Sequence, residues 1–75
     1  MMEKKFHVLV FKTNMHLKKD AKKIKPLLHQ LSSIKNWNID RDDEDKILRI
    51  ESETLCQDEI INILHTAGYH CEELL

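Results

Sequence analysis

The first patterned stretch of the chain, Phe6–His7–Val8–Leu9–Val10–Phe11, is apolar on both alternating faces. That predicts a strand in the middle of a sheet rather than at its edge. Thr13 and Asn14 break it, and Asn14 suits an N-cap or a turn. From Leu17 the period lengthens. Leu17, Ala21, Ile24, Leu28 and Leu31 recur at helical spacing, one apolar stripe of a helix expected to end at Ser32–Ser33. Pro26 falls inside it, lacks an amide donor and crowds the carbonyl of Lys22. A kink is expected there, at a cost of about 3 kcal/mol in an unadapted helix. Ile34 is expected to pack back beneath this helix. Asn36–Asp40 then alternates polar and apolar residues, a half-buried strand with Trp37 and Ile39 inward. Arg41–Asp45 is a polar turn, and Lys46–Glu51 is the return strand with Leu48 and Ile50 inward. Ser52–Thr54 leads into a second helix, with Thr54 as its cap and with Asp58 and Glu59 suited to the positive end of its dipole. Cys56, Ile60, Ile63, Leu64 and Ala67 form its buried stripe, Gly68 stops it, and Tyr69–Leu74 makes a short last strand.

The order is β-α-β-β-α-β, which predicts an α+β ferredoxin-like sandwich: one antiparallel sheet with both helices on one face. At 75 residues the chain is expected to be a single domain, residues 1–75, with a small core. A net charge of −1 gives no bulk attraction to nucleic acid or anionic lipid. The longest apolar run, Val8–Phe11, is far too short for a membrane span or a signal-peptide core, so a cytoplasmic protein is the expectation. Two cysteines, Cys56 and Cys71, do not make a disulfide framework and are expected to be reduced.

Met15, Ile24, Leu28, Ile34 and the run Ala67–Gly68–Tyr69 carry a resemblance. In order and spacing they resemble the heavy-metal-associated (HMA) domain, the small module of copper chaperones and P-type metal ATPases. The resemblance spans residues 6–74. The family's hallmark is Met-x-Cys-x-x-Cys, in which two thiolates converge on one soft ion. Here Leu17 stands in place of the first cysteine and Asp20 in place of the second. Leucine has no lone pair, aspartate is a hard ligand, and Lys18 and Lys19 between them repel a cation. The resemblance therefore implies the fold but a degenerate member, with no cofactor held by the family motif.

Other side chains near the turn could serve as substitute ligands. His16 lies in the turn itself, and the fold brings the turn before the last strand close, so His65, Tyr69, His70 or Cys71 are candidates to complete a residual heavy-metal ion site with His16. The bland alternative leaves His16 and His70 as exposed polar residues and Cys56 and Cys71 as small core hydrophobes. Asp40, Asp42, Glu44 and Glu51 match four ligand positions of a calcium loop, but Asp45 occupies the place where the sharp turn requires glycine. RNA binding on this topology needs stacking aromatics on the central strands, and Ile47–Ile50 has none. No nucleophile–base pair, P-loop or glycine-rich phosphate cradle is present, so enzymatic activity is not expected. What remains is a binding module. The charge is polarised, with Lys18, Lys19, Lys22, Lys23 and Lys25 on the first helix and acids on the hairpin tip and last strand. Lys18, Lys19 and Lys22 are the expected contact residues for a protein partner with an acidic face, with self-association as the other option.

Overall fold

The computed structural model describes residues 6–74. Strand β1 (His7–Thr13) leads into helix α1 (Lys18–Leu28), the hairpin β2 (Ile34–Asp40) and β3 (Ile47–Ser52), helix α2 (Gln57–Thr66) and strand β4 (Cys71–Glu73). The four strands form one antiparallel sheet in the order β2-β3-β1-β4. This is an α+β arrangement compatible with the expected sandwich. As the two-faced apolar pattern predicts, β1 lies inside the sheet, bonded to β3 on one side and β4 on the other.

Alternation along β1 sends Leu9, Phe11 and Thr13 into the core and turns Val8, Val10 and Lys12 away from it. The inward row packs with Leu48 and Ile50 of β3, Ile24 and Leu28 of α1, and Ile60 and Leu64 of α2 in one cluster. Each such side chain, fully buried, is worth roughly 1.5–3 kcal/mol, so this cluster holds both helices to a single face of the sheet. Trp37 and Ile39 pair with Ile50 and Leu48 and pack half-buried against the cluster's rim, as expected.

Several expected boundaries move, each for a local reason. Helix α1 ends at Leu28 rather than Ser32–Ser33. It passes through Pro26, but beyond it the chain tightens: Gln30 and Leu31 donate to Leu27 and Leu28, the closer spacing of a 3₁₀ turn. Leu31 packs on the core from outside the helix, and Ile34 opens β2 while packing, half-buried, against the cluster that holds Ile24 and Leu28. Leu17 drops out of the buried stripe because it is the N-cap residue in extended conformation. Asn14 is therefore not the cap. Nor is Thr54: α2 begins after Cys56, and the Thr54 amide donates to Ser52 Oγ at 3.2 Å. Strand β4 is shorter than the expected Tyr69–Leu74, because α2 ends in a tight reversal. Gly68 has φ +93°, its amide donates to His65 O, and the Tyr69 amide donates to Leu64 O. This paired 5→2 and 6→1 bonding needs the left-handed conformation that glycine adopts without strain. The polar hairpin turn uses its acids on its own backbone. Asp40 Oδ1 accepts from the Asp42 and Asp43 amides, and Asp43 Oδ1 from the Asp45 amide at 2.8 Å.

Candidate functional site

Four residues, Asn14–Leu17, connect β1 to α1. Thr13 anchors the connection. Its amide donates to Asp45 O at 3.1 Å and its hydroxyl to Lys46 O at 2.6 Å, pinning the hairpin tip beside the end of β1. The same Oγ1 accepts from the Met15 amide at 3.2 Å. Met15 itself is fully buried and joins the core. Asn14 Oδ1 accepts from the His70 amide at 3.0 Å, tying the α2–β4 turn to the same end.

Leu17 has no polar side-chain atom with which to cap α1. Asp20, in the helix's first turn, makes the reciprocal half of a capping box: its Oδ2 accepts from the Leu17 amide at 3.0 Å. Its other oxygen, Oδ1, accepts from the Tyr69 hydroxyl at 2.9 Å. Burial opposes the charged carboxylate, yet the hydrogen bonds from Leu17 and Tyr69, with the neighbouring His16, outweigh it and hold Asp20 below its ordinary pKa of 3.8. Tyr69 moves the other way. Partial burial, then its bond to a carboxylate and that carboxylate's charge, raise its phenol above 10.0. Lys23 stands 5.3 Å from the centre of the Tyr69 ring, and its Nζ donates to Ala67 O at 3.3 Å. An open depression of about 440 Å³ remains, lined by Lys19, Asp20, Lys23, Ala67, Gly68 and Tyr69.

The expected neighbourhood of the two turns is present, and it brings together different atoms from those a metal would need. Tyr69 and the His70 backbone reach the first turn. His65 does not: its Nε2 lies 3.1 Å from Cys71 O. His16 is exposed, with Nδ1 3.2 Å from Asn14 O, and the exposed His70 ring pairs with Glu72 at 3.5 Å. Cys71 is buried beneath the sheet's inner face, and burial, with Glu72 nearby, pushes its thiol up to about 12. Its side chain belongs to the core cluster, whereas His16 and His70 are exposed. Among the described residues no three His, Cys, Asp or Glu side chains group closely enough to hold a metal ion. The donors at the turn, one carboxylate already spanning two hydrogen-bond donors, do not fit a soft cation.

Around this turn Lys18, Lys19 and Lys22 are exposed, and Leu17, just before them, is 41% exposed. The acids of the hairpin tip do not face them from an opposite pole: the Thr13 bonds place tip and helix start at one end of the sheet. The Asp20–Tyr69 bond joins residues 49 positions apart. An aspartate in the first helical turn hinted at one half of it, and nothing local hinted at the other. Comparison with family models, curated proteins and solved structures finds no match. No helix among the described residues is long and apolar enough to cross a membrane.

Proposed function

We propose that this chain is a ferredoxin-like domain related to the heavy-metal-associated module, that its metal-binding turn has become a hydrogen-bonded helix start, and that it acts without catalysis as a cytosolic protein-interaction domain. The partner presents an acidic face to Lys18, Lys19 and Lys22, with the exposed Leu17 beside them as an apolar contact.

The observation that supports this most is the charge of the α1 start. Cations in the first turn oppose the helix dipole by about 0.3–1 kcal/mol each when exposed. Here Lys18 and Lys19 occupy that turn, and Asp20, its only acid, is committed to the Leu17 amide and Tyr69. A solvated surface gains nothing from such placement, whereas a docking surface gains electrostatic steering and a dry anchor. Two free, buried cysteines suit a reducing compartment.

The test is capture from a native lysate by immobilised protein, with partners identified by mass spectrometry and eluted in a salt series. Wild type should retain acidic proteins that leave as salt rises. The combined Lys18→Glu, Lys19→Glu and Lys22→Glu variant should retain none of them. Identical captured proteins and identical salt profiles would overturn the proposal.

A further inference from the structure

The side of the sheet away from the helices carries a self-complementary pattern. The strand register sets Asn36, Glu51 and Val8 abreast in one row, and Asn38, Arg49 and Val10 abreast in another. Between them lies the row Trp37, Ile50 and Leu9, whose side chains point to the core. Val8 is 63% exposed although it sits on an interior strand. Arg49 and Glu51 are exposed, and among the described residues neither enters an ion pair. A shallow depression of about 220 Å³ crosses β2, β3 and β1 over these same two rows.

We propose that this face binds a second copy of the chain, sheet against sheet, about a twofold axis that runs across the strands over the Trp37–Ile50–Leu9 row. Such an axis exchanges the two outward rows. It places Val8 against Val10 of the second copy, Arg49 against its Glu51, and Asn36 against its Asn38. Each contact occurs twice, as an isologous interface requires. Apolar meets apolar in one column and cation meets anion in the next. In the third, two amides can each donate and accept. Packed sheets stand about 10 Å apart, a gap that arginine and glutamate extending from opposite faces can bridge. The ion pairs fix the register. Sliding one copy by one row in one direction sets Arg49 against Arg49, and in the other direction sets Glu51 against Glu51, and either contact repels. A foreign partner would not require one cation and one anion placed symmetrically about a single row, and a second copy does. This surface lies across the sheet from α1, so it is independent of the lysine face.

Sedimentation over a concentration series tests it. Wild type should pass from monomer to dimer. Arg49→Glu alone, or Glu51→Arg alone, sets like charges at both symmetric contacts and should weaken association at least about tenfold. The double variant Arg49→Glu with Glu51→Arg should recover the wild-type dimer. The two single variants, mixed in equal amounts, should form a heterodimer that neither forms with itself. Wild type supplies a readout that does not depend on the variants folding: on dilution, the amide resonances of Val8, Val10, Asn38, Arg49 and Glu51 should shift together. A wild-type chain that stays monomeric to about 1 mM overturns the proposal. So do single variants that dimerise as wild type does, or dilution shifts that fall on Leu17–Lys22 instead.

Discussion

Two strand-to-helix connections in this protein have the same length and opposite construction. Asn14–Leu17 joins β1 to α1, and Glu53–Cys56 joins β3 to α2, each with four residues. In the second, the residue before the helix, Cys56, is buried, and its sulfur lies 3.4 Å from buried Ser52 Oγ. Asp58 and Glu59 follow, matching the helix dipole. In the first, the equivalent residue, Leu17, is exposed, and the first turn is basic apart from Asp20. The buried anchor has moved two positions earlier, to Met15, while Leu55 of the second connection is 66% exposed. The second connection is tied to the turn after α1: the Glu53 amide donates to Ser33 O at 2.9 Å and the Ser33 hydroxyl reaches Cys56 Sγ at 3.9 Å. The first depends on the rest of the molecule: on Tyr69, on the His70 amide and on the hairpin tip held by Thr13. Two connections of equal length therefore reach the core through different residues, and only the first sets lysines at its helix start.

The largest way to break the comparison is to remove its anchor. Met15→Ala should cost about 2–5 kcal/mol in urea unfolding, because a fully buried side chain leaves a cavity. Leu55→Ala in the partner connection should stay within about 0.5 kcal/mol of wild type. Equal costs would erase the distinction between the two connections.

A middle-sized effect isolates the tertiary tie. Tyr69→Phe removes one hydrogen bond from the Asp20 carboxylate and should cost about 0.5–1.5 kcal/mol. The pH dependence follows from the two shifted groups. Asp20 titrates lower folded than unfolded, so its contribution is complete above its ordinary 3.8 and is lost as pH falls through the folded value. Tyr69 titrates higher folded, so its contribution is complete below 10.0 and is lost as pH rises through the folded value. Chemical denaturation across pH should show Tyr69→Phe flattening the alkaline side and Asp20→Asn flattening the acid side. An unchanged alkaline side in Tyr69→Phe would mean that the bond contributes nothing in solution.

The smallest effect sharpens the meaning of the lysines. Replacing Lys18, Lys19 and Lys22 by Glu should leave the circular dichroism spectrum intact. It should raise stability slightly, by about 0.3–1 kcal/mol for a well-placed charge, and the gain should shrink with added salt. A clear loss of stability would make these lysines structural, and the case for a docking surface would fall with it.

Elements with a local cause were legible in the residues. The period of Ile24 and Leu28, the alternation of Trp37 and Ile39, and the left-handed stop at Gly68 are short-range consequences of backbone geometry, and each appears where its pattern placed it. Boundaries were less legible, because capping is a competition. Ser52 takes the Thr54 amide, and Asn14, expected as a cap or a turn residue, serves the turn, where its side chain accepts from the His70 amide. The character of the first turn was only half visible. That it lacks thiolates follows directly from Leu17 and Asp20. What those residues do instead depended on a partner far along the chain: Tyr69 meets Asp20 only because Gly68 reverses the chain at the end of α2 beside the start of α1. The pairing of Val8, Arg49, Glu51 and Asn36 across three strands is likewise a matter of register, set when the inward rows pack together. Composition and periodicity determined which elements form and which faces are apolar. Only the folded sheet decided which polar groups became neighbours, because hydrogen bonds and charge pairs between distant residues leave no periodic trace in the sequence.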